Sequence, residues 1–385
     1  FLRCAKDFIN WIVLEMLSGE EISQYQRHLS LPSFGSVAQG KLKCASVLVI
    51  GAGGLGCPAL QYLTAAGVGK IGIVDNDVVE VSNLQRQILF SRDDLGQFKA
   101  EVAVMKLSRM NPFINIQAHV VRFSAENAES LLDGYDIILD GTDNFSSRYL
   151  INDASILFDK ILIYGAIYQF EGQLSVFNYK GGPTYRCLFP EPPGTEALPS
   201  CSEVGVLGVL PGIIGNFQAL EAIKVIAQIG EPLSGKVLLY DALNQKSQLL
   251  TLKSQKKSRE ITELKENPVN CLTNIDKKMI KEIMPQDFFK MIKEEQEILV
   301  LDVREDWERE ISKISPSFHI PLGEFTSIEG PHLPTESKDA NIVIYCKAGV
   351  RSRMACESLE NKGFQNLFNL TGGILNWEEQ GLPLN

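Results

Sequence analysis

Short apolar runs alternate with helix-like stretches along the larger, N-terminal part of the chain. The apolar runs predict strands at 46–50, 71–75, 114–119, 137–140 and 161–164. Runs of this length separated by helices indicate βαβ units and a parallel sheet. Two later runs, 172–179 and 237–240, predict an antiparallel extension. The pattern therefore predicts an α/β fold with a mostly parallel sheet.

The same alternation begins again on a smaller scale near the C-terminus. Predicted strands at 298–302, 342–345 and 366–370 indicate a small α/β domain over 282–385. Residues 253–281 are rich in lysine, contain Pro268 and have no sustained apolar period, which indicates a linker. The predicted organisation is an N-terminal extension at 1–16, a first domain at 17–252, this linker, and the small domain.

Composition and charge narrow the class of protein. A chain of 385 residues is expected to hold two or three domains. Its net charge of −10 argues against a nucleic-acid partner. No apolar run approaches the length of a membrane span, and no cleavage site follows the apolar residues 8–17, so no membrane or signal segment is expected. Eight widely spread cysteines do not indicate a disulfide framework, and a reducing cytoplasm is the expected setting.

A glycine-rich loop follows the first predicted strand. Gly51, Gly53, Gly54 and Gly56 allow a tight turn and close approach of a phosphate to the next helix N-terminus. Asp75, at the end of the next strand, lies where a ribose-binding carboxylate is expected. The loop predicts a Rossmann-like nucleotide site. By itself it also fits a dinucleotide dehydrogenase, or a turn that only packs helix on strand.

Polar residues after Asp75 argue against the dehydrogenase. Arg86, in the segment 82–87, and Lys99 supply two fixed cations, which suit a triphosphate. Asp143 and Asn144 follow the strand 137–140, and a carboxylate near phosphates suits Mg²⁺. In this order the residues resemble the MoeB/ThiF family of enzymes that activate ubiquitin-like proteins. The resemblance runs from about 17 to 252 and includes the segments 24–28, 167–173, 185–187 and 205–212.

This resemblance implies ATP, Mg²⁺ and a ubiquitin-like sulfur-carrier protein ending in Gly-Gly as substrates and cofactor. The carrier carboxylate attacks the α-phosphate, which gives an acyl-adenylate and pyrophosphate. Asp75 would hold the ribose, and Asp143 the Mg²⁺. Arg27 would act as an arginine finger supplied by a partner subunit, so a homodimer is expected. The implied nucleotide-binding residues are Gly51, Gly53, Gly54, Gly56, Asp75, Asp77, Ser82, Asn83, Leu84, Gln85, Arg86, Lys99, Asp143 and Asn144.

Two cysteine positions depart from the family pattern. Many relatives hold a structural zinc with two Cys-x-x-Cys pairs, whereas Thr184 stands three residues before Cys187 and Asn274 three residues after Cys271. Threonine and asparagine are poor zinc ligands, so no zinc is expected. Cys201 occupies the position of a family cysteine that forms a thioester or disulfide with the carrier in some relatives. Both a transfer role and a plain loop cysteine remain open for it.

The segment 346–352 places Cys346 between a buried predicted strand and a helix. Backbone N–H groups at a helix N-terminus favour a thiolate, and Arg351 adds a fixed positive charge. The loop resembles the active-site loop of rhodanese sulfurtransferases, in which the cysteine carries a persulfide. Residues 301–308, with Asp302 and Arg304 in structural roles, and 372–377 extend the resemblance over 283–385.

Together the two domains predict an adenylyltransferase and sulfurtransferase. The Cys346 persulfide would attack the acyl-adenylate, directly or after a Cys201 adduct, and reduction would leave a thiocarboxylate on the carrier. A persulfide donor such as a cysteine desulfurase is implied. Two alternatives remain open: activation of a ubiquitin-like modifier for conjugation through a Cys201 thioester, and a regulatory module with an inactive ATP site. The identity of the carrier is not readable from the sequence.

Overall fold

The computed structural model describes residues 17–191, 205–265, 280–294, 298–325, 331–333 and 338–385. The chain divides into two compact units, Phe1–Cys271 and Leu272–Asn385. This division falls inside the predicted linker.

The first unit is built on one sheet of eight strands in the order β3-β2-β1-β4-β5-β6-β7-β8. The strands are β1 Ser46–Ile50, β2 Lys70–Val74, β3 Asn115–His119, β4 Ile137–Asp140, β5 Ile161–Tyr168, β6 Glu171–Phe177, β7 Lys236–Asp241 and β8 Lys246–Thr251. Strands β1 to β5 pair in parallel, whereas β6, β7 and β8 add antiparallel pairs. The predicted parallel sheet and its antiparallel extension are confirmed. Strand β8 was not predicted, because its residues are exposed throughout and leave no apolar run.

Helices cover both faces of this sheet. They are α1 Gly19–Gln24, α2 Gln26–Leu29, α3 Gly35–Cys44, α4 Gly56–Ala66, α5 Lys99–Met110, α6 Ala128–Leu132, α7 Phe145–Leu157, α8 Tyr185–Leu188 and α9 Val209–Ala227. Alternate residues of the central strand β1 enter two separate cores: Val47 and Val49 belong to one, Leu48 and Ile50 to the other. Burial on both faces explains why β1 is continuously apolar.

Helix α9 is long and apolar enough to cross a membrane by length and composition, and it is the one such helix within the described residues. The sequence analysis predicted no apolar run long enough to span a membrane, and this helix is an exception to that prediction. Half of its apolar window is buried in the unit. Its Gln218 amide donates a hydrogen bond of 2.6 Å to the Asp140 carbonyl in β4, which ties α9 to the sheet. Core helices of globular domains share these properties, so the helix is weak evidence for a membrane span.

Both ends of the predicted linker are structured. A 3-10 turn at Lys256–Arg259 packs on the first unit, where Ser258 is buried. Leu264 packs against the core beneath it. At the other end, Ile280 begins a strand of the second unit. The linker predicted over the whole of 253–281 is therefore too long. The segment is rich in charged residues, so its pattern does not reveal the few residues that are packed.

The second unit has five parallel strands in the order β11-β10-β12-β13-β9. They are β9 Ile280–Ile283, β10 Ile298–Asp302, β11 Phe318–His319, β12 Asn341–Tyr345 and β13 Asn366–Leu370. The helices are α10 Pro285–Lys293, α11 Asp306–Ile311, α12 Leu322–Phe325, α13 Val350–Asn361 and α14 Gly373–Glu379. The three predicted strands are confirmed. Strands β9 and β11 were not predicted, since four and two residues are too few for a clear pattern.

A buried ion pair supports the predicted structural role of Asp302 and Arg304. The Arg304 guanidinium donates two hydrogen bonds to the Asp302 carboxylate, at 2.9 and 2.7 Å, and Tyr345 Oη donates a third at 2.8 Å. Burial raises the pKa of Asp302, but these bonds and the Arg304 charge outweigh burial and hold it below its ordinary value. A lowered pKa contributes stability above the unfolded value of about 4, which is lost as pH falls through the folded pKa.

Replacing Asp302 by alanine is expected to lower the free energy of unfolding of the second unit by about 3–5 kcal/mol, because Arg304 would be left buried without its carboxylate. Urea unfolding followed by the fluorescence of Trp307 and Trp377 measures this. Asp339→Ala, at an exposed aspartate, is the control. Equal stability of the two variants would contradict the structural role.

Candidate active sites

A cleft of about 320 Å³ opens at the carboxyl ends of β1, β2 and β4. Strand order reverses between β1 and β4, which is where open α/β sheets bind ligands. The sequence-predicted residues that line it are Gly51, Gly53, Gly54, Asp75, Asp77, Arg86, Lys99, Asp143 and Asn144. The structure thus brings together the glycine loop, both predicted cations and three carboxylates.

The glycine loop depends on close backbone contacts. Gly51 has a φ of +95°, and a Cβ there would lie 2.8 Å from the Gly141 carbonyl oxygen. A Cβ at Gly56 would lie 1.9 Å from the Gly51 oxygen. Gly53 differs, because the nearest atom to a Cβ there is 3.8 Å away. Gly51 and Gly56 are therefore required by the turn, whereas Gly53 leaves space open on the cleft side.

Asp75 is held at the base of the cleft by backbone donors. Its Oδ2 accepts a hydrogen bond of 2.7 Å from the Ala52 N–H, and its Oδ1 accepts one of 2.9 Å from the Asp77 N–H. Burial raises the pKa of Asp75, and the Lys99 charge opposes this rise. The two bonds fix the carboxylate against the glycine loop.

The two cations enter the cleft from different elements. Lys99, at the start of α5, has a side chain that is only 6% exposed, and its Nζ lies 2.9 Å from Asp77 Oδ2. Arg86 is positioned by a hydrogen bond of 3.1 Å to the Ser82 carbonyl. Asp143 is exposed at the mouth, and Asn144 caps α7 through a bond of 2.9 Å from the Ser147 N–H. The cleft therefore presents two cations beside the accessible carboxylates of Asp77 and Asp143.

Other predicted residues lie outside this cleft. Asn83 lines an adjoining cavity, which it shares with Asp77 and Lys99. Ser82, Leu84 and Gln85 are not among the lining residues of either cavity. Arg27 is exposed on α2 and does not line the cleft. Cys201 and Cys271 lie outside the described residues.

Gln87 was missed by the sequence analysis. It lines the cleft although its residue surface is only 4% exposed, and its Oε1 has no hydrogen-bond partner within the described part of the chain. Buried polar atoms are almost always paired, so an unpaired one in a cleft fits a ligand-binding group. The signal was its place in the segment 82–87, but burial cannot be read from a polar residue.

Hydrogen-bond donors surround Cys187 at the position of the family zinc site. Its Sγ lies 3.0 Å from Ser258 Oγ and accepts from the N–H groups of Thr184 and Gln255, each at 3.4 Å. Burial raises the pKa of this thiol, but these hydrogen bonds outweigh burial and lower it. The sequence analysis placed the second pair of zinc ligands near Cys271. In the structure, Gln255 and Ser258 contact Cys187 instead. These two residues are three positions apart, as are Thr184 and Cys187.

The second candidate site surrounds Cys346, where β12 passes into α13. The cysteine is 1% exposed, and its Sγ accepts a hydrogen bond of 3.1 Å from the Gly349 N–H. Gly349 has a φ of +96°, which turns the loop back over the sulfur. The Cys346 carbonyl accepts from the Ile374 N–H of α14 at 2.9 Å. The loop predicted from sequence is confirmed as a strand-turn-helix that directs backbone N–H toward the sulfur.

Arg351 is paired with Glu308 of α11. Its guanidinium donates two hydrogen bonds to that carboxylate, at 2.6 and 2.7 Å. Burial raises the pKa of Glu308, but the bonds from Arg351 outweigh it and lower this pKa. The fixed positive charge expected from Arg351 is therefore compensated, and Glu308 is a residue of the site that the sequence analysis missed.

Family models match both units. Residues 25–262 match the ThiF family, and residues 284–380 match the rhodanese-like domain. The chain belongs to the ThiF family, with a rhodanese-like domain at its C-terminal end. The first match extends past the predicted domain end at 252, in agreement with the packing of Ser258 on the first unit.

Three similar proteins match between 61% and 95% of the chain. The chain is 42% identical to a probable adenylyltransferase/sulfurtransferase MoeZ of Mycobacterium tuberculosis, over 95% of each chain. It is 39% identical to the adenylyltransferase and sulfurtransferase MOCS3 of Arabidopsis thaliana, over 94% of this chain and 84% of that one. A sulfur carrier protein adenylyltransferase of Thermus thermophilus is 52% identical, over 61% of this chain and 88% of its own.

Solved structures share the fold of the first unit. The crystal structure of E. coli MccB with ATP has a TM-score of 0.53 and 22% identity, covering 60% of this chain and 72% of that one. At this identity the likeness concerns the fold alone.

Proposed function

We propose that this protein adenylates the C-terminal Gly-Gly of a ubiquitin-like sulfur carrier and then converts it to a thiocarboxylate with sulfur held on Cys346. The observation that carries the proposal is the presence, in one chain, of a cleft that brings Arg86 and Lys99 to a glycine loop and of a cysteine whose sulfur accepts a hydrogen bond from a backbone N–H of its own loop. Relatives that match nearly the whole chain are named for both activities.

The cleft would bind ATP as a substrate through groups already in place. The glycine loop and the N-terminus of α4 would face the phosphates, with Arg86 and Lys99 compensating their charge. Asp75 would accept hydrogen bonds from the ribose. These residues position the carrier carboxylate and the α-phosphate, and positioning with charge compensation accounts for most of the catalysis in such transfers.

Asp143 would hold Mg²⁺. No group of three or more His, Cys, Asp or Glu side chains suited to a metal occurs among the described residues. Mg²⁺ needs no such group, because it takes one or two carboxylates and completes its shell with phosphates and water. The ion would supply charge compensation at the phosphates, and the exposed Asp143 carboxylate would orient it.

In the second step the outer sulfur of the Cys346 persulfide attacks the acyl carbon of the adenylate. A carbon–sulfur bond forms, the carbon–oxygen bond to phosphate breaks, and AMP leaves with the electron pair. A thiol reductant then cleaves the sulfur–sulfur bond, which releases the thiocarboxylate and the Cys346 thiol. A persulfide donor such as a cysteine desulfurase would reload Cys346. All cysteines of the described residues are free thiols, which fits a reducing cytoplasm.

Arg27 would complete the adenylation site of a second subunit in a homodimer. It is exposed and lies outside the lining of its own cleft. Its helix is anchored through the preceding Tyr25, whose hydroxyl accepts a hydrogen bond of 2.8 Å from Asn111. An exposed arginine that does not line its own cleft is available for a role in trans.

The Cys187 segment would be held by hydrogen bonds and packing in place of zinc. Structural zinc sites use four good ligands, whereas the positions that face each other here are Thr184, Cys187, Gln255 and Ser258. We therefore expect purified protein to contain only traces of zinc by elemental analysis. Stoichiometric zinc that survives dialysis against a chelator would contradict this.

Carrier-dependent exchange of labelled pyrophosphate into ATP tests the adenylation half directly. Exchange is expected with a carrier that ends in Gly-Gly and is expected to disappear when the terminal glycine is deleted. Absence of exchange with every carrier tested would favour a module with an inactive ATP site.

A further inference from the structure

A chain of hydrogen bonds leads from the buried Cys346 to the solvent-exposed carboxylate of Glu282 on β9. Ser352 Oγ lies 3.4 Å from Cys346 Sγ and 2.6 Å from Asn369 Oδ1. The Asn369 Nδ2 lies 3.1 and 3.0 Å from the two oxygens of Glu282. Ser352 and Asn369 are both buried. The chain thus joins the sulfur to three side chains from three different elements.

The direction of each proton along this chain follows from Glu282. An ionised carboxylate only accepts hydrogen bonds, so the amide nitrogen of Asn369 must face it. The amide oxygen then faces Ser352 and can only accept, which means that the single hydroxyl proton of Ser352 points to Asn369. Ser352 Oγ is also placed to donate to Cys346 Sγ at 3.4 Å, but its one proton cannot serve both acceptors, and the bond of 2.6 Å to Asn369 is the shorter.

We propose that Asn369, oriented by Glu282, is a positioning residue that keeps the Ser352 proton away from Cys346. It thereby disfavours ionisation of the Cys346 thiol when no sulfur is loaded on it. For Ser352 to donate to an anionic sulfur, its hydroxyl must rotate and give up the bond of 2.6 Å to Asn369. The Gly349 N–H favours the anion and acts in the opposite sense. In a persulfide the inner sulfur carries no proton and the charge lies on the outer atom, so the restraint falls mainly on the unloaded cysteine.

Two ion pairs near Cys346 Sγ do not include Asn369, so a substitution of Asn369 leaves both of them in place. Arg351 of α13 is bound to Glu308 of α11. Glu282 of β9 keeps Arg353 of α13, at 2.7 Å, and the Thr371 hydroxyl, at 3.1 Å.

Two further titratable side chains, Lys347 and Cys356, lie in the loop and helix that follow Cys346. The exposed Lys347 follows the cysteine in the loop, and the thiol of Cys356 on α13 is buried, which raises its pKa. Neither touches Asn369 through a hydrogen bond, so the effect of a substitution there should pass through Ser352.

The test is the rate at which iodoacetamide alkylates Cys346 as a function of pH, read by mass spectrometry of the peptide that contains it. Asn369→Leu removes the acceptor and leaves Sγ as the partner of the Ser352 proton. We expect the pH midpoint of alkylation to fall and the rate below that midpoint to rise about tenfold, in line with a hydrogen bond to a charged group. Asn369→Ala should act in the same direction if the leucine variant does not fold.

Two comparisons test whether the effect of Asn369→Leu on Cys346 passes through the Ser352 hydroxyl. In a Ser352→Ala background, Asn369→Leu should have no effect, because the proton that it frees is absent. Thr371→Val, which removes another partner of Glu282 without touching Asn369, should leave the alkylation profile unchanged. An unchanged or slower rate in Asn369→Leu, or an equal acceleration without Ser352, would overturn the proposal.

This inference rests on the proposed function of Cys346, and the two can fail separately. Loading of sulfur onto Cys346 by a persulfide donor is measured on the wild-type protein by the same peptide analysis. If no sulfur is loaded, the proposed function fails, whereas the alkylation profiles decide the role of Asn369.

Discussion

Replacing Cys346 by alanine is expected to abolish thiocarboxylate formation and to leave carrier-dependent pyrophosphate exchange at the wild-type rate. The sulfur is the proposed nucleophile, and loss of a nucleophile typically reduces its reaction by at least about three orders of magnitude. Alanine fits the buried position of the cysteine, which is 1% exposed. Exchange should survive because the adenylation cleft lies in the other compact unit.

Cys356→Ala is the matched control for this variant. Cys356 is buried in the same core of the second unit, so its replacement costs similar packing but removes no proposed chemistry. Both activities should persist in it. Normal thiocarboxylate formation by Cys346→Ala would show that sulfur reaches the carrier by another route, such as Cys201.

Asp143→Asn is expected to lower pyrophosphate exchange by about two to three orders of magnitude, comparable to the loss of other charge-stabilising groups in active sites. The side chain is exposed at the mouth of the cleft, so the amide should leave the fold unchanged. The amide cannot compensate the charge of Mg²⁺. Exchange rates at saturating Mg²⁺ and ATP measure the effect.

Asp133→Asn, at an exposed aspartate that does not line the cleft, is the control.

The Asp143→Asn variant also tests whether Arg27 acts across a homodimer. Arg27→Ala should also be inactive alone, and co-refolded with Asp143→Asn it should regain exchange, because mixed dimers contain one cleft with both an intact Asp143 and an intact Arg27. Exchange that stays at the level of the separate variants would argue against Arg27 acting in trans.

Much of the fold follows from local pattern. Strand β1 is apolar because both of its faces are buried, and the glycines at 51 and 56 are required by backbone contacts, so both features are visible in sequence. Strand β8 has every residue exposed and pairs only through its backbone, which a hydrophobic pattern does not record.

The sites were predictable in their ligand-facing residues but not in their supporting residues. The cations and carboxylates of the cleft, and Cys346, belong to short sequence motifs that can be recognised without a structure. Glu308 and Asn369 act through contacts between elements far apart in sequence, and the partners of Cys187 are polar residues of ordinary type. Residue identity alone does not indicate that a glutamate or serine is buried beside a particular group.

Conversion of the carrier to a thiocarboxylate is measured by the intact mass of a Gly-Gly carrier after incubation with the wild-type protein, ATP, Mg²⁺, a persulfide donor and a thiol reductant. We expect a carrier in which one sulfur replaces one oxygen, formed only when ATP is present and Cys346 is intact. A carrier that is adenylated or attached to another protein, but never gains sulfur, would contradict it.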